Sequence, residues 1–188
     1  DNILFFPNGK IYRKLSRTAF EFIGDNFLPF IYGQKNLAFI TSVQNKIPLI
    51  FYGESGELEY GGSTKNINKS HEDIYDHDEL YYKGINLNNL IEIALDNKIM
   101  EKKDLSHDFK FFIPPNKNLI KENNIQMHWF SYYKKWNPQE NYYYASENTG
   151  FVANKLRSEG TYSKYASLDD KTDGFHYYMG LIKFGLGR

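Results

Sequence analysis

The chain of 188 residues contains no cysteine. That excludes disulfides and zinc–thiolate centres within it and suits a reducing compartment. Nor is there a surplus of either charge: Lys and Arg number 23, as do Asp and Glu, so no net field draws the chain to nucleic acid or to an acidic membrane. No basic cluster is long enough to track phosphates. Apolar runs fall short of the ~20 residues that span a bilayer, and Asp1–Pro7 has neither the basic segment nor the cleavage site of a secretory signal. A cytoplasmic protein without membrane insertion and without a nucleic-acid partner is expected.

Aromatic residues, by contrast, are abundant, with 16 Tyr and 15 Phe. Most such rings fill cores, because each buries a large area. The runs Tyr132-Tyr133 and Tyr142-Tyr143-Tyr144 are different, since adjacent residues on one element cannot all face inward.

Periodicity gives an α/β reading. Ile3 to Phe6 reads as a short buried strand; Asn8 then caps a helix carrying Ile11, Leu15, Ala19, Phe22 and Ile23, stopped by Gly24. A second helix over 31–44, with Ile31, Leu37, Ile40 and Val43 as its apolar side, feeds a strand at 47–52. That order predicts a parallel sheet. Two strands alone make too narrow a sheet, so further strands are expected ahead of residue 3. Residues 63–84 are polar without period and read as a long loop. Asn86 caps a helix with Leu87, Leu90, Ile91, Ala94 and Leu95 on one face. Phe109–Ile113 reads as extended before Pro114-Pro115, Ile125–Phe130 as a strand, and Asn137-Pro138 as the start of a helix to about Glu147. The resulting divisions are 1–64, a nucleotide-binding α/β part; 65–124, an insertion of loop plus helix; and 125–188, a strand with helices.

The most informative stretch is Ile47-Pro48-Leu49-Ile50-Phe51-Tyr52 running into Gly53-Glu54-Ser55-Gly56-Glu57-Leu58-Glu59-Tyr60-Gly61-Gly62. An apolar run of strand length ends in a glycine, three carboxylates follow within six residues, and a glycine pair closes the loop. A buried parallel strand delivers an anionic loop to a ligand crevice in this way.

That loop resembles, at equal length, the Gly-Glu-Gly-Ala-Asp-Glu-Leu-Phe-Gly-Gly loop of asparagine synthetase-type ATP pyrophosphatases. The wider chain is similar to the N-acetyl sugar amidotransferase family of surface-polysaccharide and nonulosonic acid biosynthesis. The blocks that carry the likeness are Tyr12–Phe20, Ile47–Gly62, Phe130–Tyr142, Glu159–Asp170, Asp173–His176 and Ile182–Arg188.

The resemblance implies part of an adenine nucleotide alpha hydrolase-like (PP-loop) parallel-sheet domain with a largely helical C-terminal region. It implies a longer enzyme, because the Ser-Gly-Gly-Lys-Asp-Ser phosphate loop and the cysteine metal motif of the family do not occur in this sequence; the piece alone is expected to be inactive. ATP and Mg2+ are the implied cofactors. Glu54 and Glu57 take the catalytic positions, with Glu57 the metal ligand; Gly53, Ser55, Gly56, Tyr60 and Gly61 line the nucleotide. Glu57 stands where the family has Asp and Leu58 where it has Glu, which leaves Glu59 as a rival ligand. Arg157, Tyr162, Lys164, Asp173 and His176 fall to the acetamido sugar, and a separate glutaminase subunit would supply ammonia. Two other readings stand beside this one. The Tyr and Trp clusters suit a non-catalytic sugar-binding module, and Ser70–Asp78, with two histidines and four acids, suits either a charged loop or a metallohydrolase centre. His128 reads as a satisfied structural histidine.

Overall fold

The computed structural model describes residues 2–53, 68–72, 82, 84–157, 161–166, 168 and 172–185. The chain is a mixed α/β protein that divides into two units, Asp1–Ile23 with Phe27–Lys135, and Gly24–Asn26 with Trp136–Arg188.

In the larger unit, helix α1 (Gly9–Thr18) begins where Asn8 accepts hydrogen bonds from the Lys10 and Ile11 amides at 3.0 and 3.3 Å, which satisfies two otherwise orphaned donors. It passes into a π-helical turn, Ala19–Ile23. Helix α2 (Leu28–Asn45) starts with Pro29 in its first turn and closes with Lys46 in the left-handed conformation, φ +55°. Helix α3 (Leu87–Asp96) opens on a reciprocal box in which Asn86 and Asn89 each bond the other's amide. Helix α4 (Lys117–Glu122) is capped by Asn116. Ile11, Leu15, Leu28, Tyr32, Leu90 and Ala94 form the main core of this unit, joined by Met100 and Phe112. Around Phe39, Ile120, Ile125 and Met127 lies a second core, between the helices and the sheet.

Among the described residues the sheet has three strands, β1 (Leu49–Tyr52), β2 (His71–Glu72) and β3 (Gln126–Trp129), in the order β1-β3-β2. β1 runs parallel to β3, Leu49 opposite Gln126 and Tyr52 opposite Trp129; β2 runs antiparallel, His71 opposite His128 and Glu72 opposite Met127. Alternation along the strands sends Ile50, Tyr52, Met127 and Trp129 toward the helices and leaves Leu49, Phe51, Gln126 and His128 on the outer face. A short helix, α5 (Phe130–Tyr133), follows β3 directly.

The smaller unit holds α6 (Pro138–Asn148), capped by Asn137 through the Glu140 amide, and α7 (Asp173–Phe184), ended by Gly185 at φ +68°. Tyr142 stacks on Tyr165 at 4.5 Å and 10°. Gly24 has φ +71°, and a Cβ there would meet the Met179 Cε at 3.1 Å. Both its conformation and its packing therefore favour glycine.

Several expectations are corrected. Ile3–Phe6 pairs with no strand, and Ile3, Leu4 and Phe6 are 57–78% exposed; Pro7 offers no amide to extend a ladder, and Phe5 instead packs on Phe111. The strand expected at 47–52 is β1, but it is not buried on both faces, Phe51 being 56% exposed. The sheet is mixed rather than parallel. Phe109–Ile113 is not extended: Asp108 Oδ1 accepts from the Lys110 amide and tightens a 3-10 turn over Lys110–Phe112, a local bond that outcompetes the alternating pattern. Within 63–84, His71 and Glu72 form a strand. The inward side of α2 is also different from the one expected, consisting of Leu28, Tyr32, Lys35, Asn36, Phe39 and Ser42.

That side carries polar groups into the core, and Tyr32, Lys35 and Asn36 each meet a partner there. The Asn36 amide donates to the Phe112 carbonyl at 3.0 Å and accepts the Tyr82 phenol at 2.8 Å; the Tyr32 phenol donates to the Ile85 carbonyl. Lys35 Nζ lies 2.8 Å from Glu72 Oε2, the two side chains 4% and 1% exposed, and 4.2 Å above the ring of Tyr52. Nearer the surface, Asp104 Oδ2 accepts from Lys14 Nζ at 2.6 Å and from the Glu101 amide at 2.7 Å, binding α1 to the 3-10 turn Lys102–Ser106.

Two outcomes follow. Glu72→Ala removes the carboxylate that faces a buried lysine and should lower unfolding stability by about 3–5 kcal/mol, whereas Lys35→Met combined with Glu72→Leu should recover most of the loss; urea melts of the two variants against wild type check this, and equal losses in the single and double variants would contradict it. The Lys14 hydrogen bond, then the Glu101 amide, hold the Asp104 carboxyl below its ordinary range. Its stabilisation is present above the unfolded value of about 4 and is lost as pH falls through the folded one. Asp104→Asn should therefore be less stable than wild type at pH 7 and flatten the acid decline in denaturation midpoint. An unchanged acid limb would argue against the clamp.

Candidate functional site

β1 and β3 run in the same direction and end side by side at Tyr52 and Trp129. Gly53 follows β1 directly and is exposed, with open space where a Cβ would stand; the described surroundings do not require a glycine there. Glu54, Ser55, Gly56, Glu57, Tyr60 and Gly61, with Glu59, lie outside the described residues. Beside this end, the Trp129 indole N–H and the Ser131 hydroxyl are buried and have no hydrogen-bond partner among the described residues, at variance with the rule that buried polar groups are paired.

The residues read as sugar-binding all fall in the smaller unit. Arg157, Tyr162 and Lys164 are exposed, Tyr162 to 81%, and the Lys164 carbonyl accepts from the Asn154 amide at 2.8 Å. Asp173 and His176 are half-buried on the first turn of α7. His176 Nδ1 lies 3.5 Å from Oδ1 of the buried Asp25. In the stretch 70–78, His71 and Glu72 are on β2 and the remainder from Asp73 lies outside the described residues. Among the described residues no three His, Asp or Glu side chains gather into a metal-binding group.

Sequence reasoning missed the outer face of the sheet. There Phe51 meets the rings of His128, Phe130 and Tyr133 edge-on, centroids 5.9–6.3 Å apart, and Tyr132 meets Tyr133 at 5.2 Å. The His71 and His128 rings, brought opposite by the β2–β3 register, are 5.6 Å apart. His128 is satisfied at both nitrogens, Nδ1 against the Tyr133 phenol at 2.5 Å and Nε2 against Gln126 Oε1 at 3.0 Å. An amide oxygen has no proton to give, so Nε2 carries the hydrogen and Nδ1 accepts from Tyr133. Of the two neutral tautomers, the chain Tyr133→His128→Gln126 selects the one protonated at Nε2. One signal for this face was present in the sequence: the alternation Leu49, Phe51 and Gln126, His128, which places two aromatic rings on the side away from the helices.

Nitrogen-resolved imidazole NMR should find His128 Nδ1 unprotonated and Nε2 protonated at neutral pH, with Tyr133→Phe shifting the Nδ1 resonance. An Nδ1–H tautomer would contradict the relay. No protein-family model matches the chain, and no curated protein matches it.

Proposed function

We propose that the chain belongs to an ATP-dependent amidotransferase that converts the acetamido group of a sugar to an acetamidino group. The observation that carries the reading is strand direction: the acidic loop begins at the carboxyl end of β1, whose neighbour β3 is parallel, and open α/β sheets bind ligands at that edge. The Trp129 and Ser131 donors beside the same end, which have no partner among the described residues, add to it. On this reading the α/β unit is part of a PP-loop-type nucleotide-binding domain working in the cytoplasm, and the phosphate loop absent from these 188 residues is contributed by other polypeptide. No helix among the described residues is long and apolar enough to cross a membrane.

The chemistry answers a definite difficulty. An acetamido carbonyl is a poor electrophile, and its oxygen must be made a leaving group. Attack of that oxygen on the α-phosphorus of ATP releases pyrophosphate; ammonia then adds to the activated carbon, a proton is lost, and AMP departs with the original oxygen. A divalent cation would neutralise the departing pyrophosphate, and carboxylate oxygens such as Glu57 or Glu59 are the donor type that Mg2+ accepts. Glu54 would face the reacting centre. Glutamine hydrolysis needs a nucleophile that a cysteine-free chain lacks, so ammonia comes from a glutaminase partner. A sugar-binding module without catalysis is the second reading, favoured by the exposed rings around Phe51.

The test is mass spectrometry of acetamido sugars incubated with ATP, Mg2+, ammonia and the chain in its natural full-length context. Oxygen-for-NH exchange with matching AMP release is expected, abolished in Glu54→Gln without loss of folding. Sugar binding with no ATP consumption would instead favour the second reading, and full activity in Glu54→Gln would remove the residue from catalysis.

A further inference from the structure

We infer that the outer face of the β1-β3-β2 sheet is a sugar-ring platform, on which Phe51 and Tyr133 take the apolar face of an uncharged acetamido sugar while Gln126 and His71 bond its rim. The inference rests on sugar being the substrate class, and it assigns the sugar to residues of the larger unit in place of Arg157, Tyr162, Lys164, Asp173 and His176. Three observations carry it.

The first is exposure combined with order. Phe51 and Tyr133 are each 56% exposed and Phe130 51%, yet each touches another ring at defined angles. Edge-to-face contacts hold such rings in place, so a flat ligand meets a surface ordered in advance and little conformational freedom is lost on binding.

The second is charge. Leu49, Phe51, Gln126 and Tyr133 carry no formal charge, and both nitrogens of His128 are engaged by neighbours on the same face. The buried pair Lys35 and Glu72 belongs to the opposite face. The described side chains Leu49, Phe51, Gln126 and Tyr133 offer no cation to a phosphate or a carboxylate, whereas a pyranose, with an apolar face and a rim of hydroxyl and amide groups, finds both kinds of partner among them. Gln126 is exposed and uses its amide oxygen on His128, which turns its NH2 group outward as a donor. His71 is exposed, with Nδ1 3.2 Å from the Ser70 hydroxyl, and Nε2 is the nitrogen assigned to the sugar's rim.

The third is position. Phe51 precedes Gly53 by two residues on the same strand, so a sugar seated on this ring lies at the start of the acidic loop.

Saturation-transfer NMR on the 188-residue chain with N-acetylglucosamine and N-acetylgalactosamine tests this without any chemistry taking place. Binding to at least one sugar is expected, weakened about tenfold or more by Phe51→Ala, as for loss of a central aromatic anchor. Tyr133→Ala should weaken it too, while Tyr143→Ala, in the other aromatic cluster, should not; thermal melts confirm that each variant is folded. No binding of either sugar, binding indifferent to Phe51 and Tyr133, or preferential Phe51-dependent binding of AMP overturns the platform. The fate of the amidotransferase reading is separate. Phe51-dependent sugar binding without ATP-driven amidine formation keeps the platform and ends that reading, and amidine formation with KM unchanged in Phe51→Ala keeps the reading and ends the platform.

Discussion

The arrangement of the larger unit depends on one buried ion pair. Lys35 reaches from the inward side of α2 to Glu72 on β2, and both side chains are almost wholly out of water. Desolvating two charges is costly, and mutual attraction offsets it only where geometry is good; the 2.8 Å contact and the Tyr52 ring beneath the ammonium supply that geometry. Two residues of β2 are described, and a ladder of that length is weak by itself. The charge pair makes its register specific, since a slip of one residue would withdraw Glu72 from Lys35 and send His71 inward.

A link between the inner and outer faces follows from that parity. Because Glu72 points in, His71 points out, and antiparallel pairing with β3 sets it opposite His128. The imidazole pair on the outer surface is thus positioned by a salt bridge on the other side of the sheet. From there the fixed tautomer of His128 orients Tyr133, and Tyr133 confines Phe51. Packing, charge and ring geometry form one sequence of causes from α2 to the exposed aromatics.

Local signals in the sequence were faithful. The caps at Asn8, Asn86 and Asn137 lie where residue type and the following apolar period put them, and β3 and α6 occupy the expected stretches. Legibility failed where tertiary context reversed a local preference. Ile31, Leu37, Ile40 and Val43 made the more apolar side of α2, but Lys35 and Asn36 face inward because Glu72, Phe112 and Tyr82 are there to meet them, and those partners are 37 to 76 residues away. Ile3–Phe6 had the composition of a strand and no partner to pair with. The outer-face relay depended on register between strands far apart in sequence, which no single segment encodes. The acidic loop, the strongest chemical signal in the sequence, lies beyond the described residues, and the geometry reaches it only through Gly53.

The helix caps carry a consequence of their own. Asn8, Asn86, Asn116 and Asn137 begin four helices with amide oxygens rather than carboxylates, so these starts do not titrate. The Lys14–Asp104 clamp and the Lys35–Glu72 tie, by contrast, both need an ionised acid. Acidification therefore acts on these two carboxylate ties first, while the caps and the neutral bonds of Asn36 and Tyr32 keep their donors and acceptors.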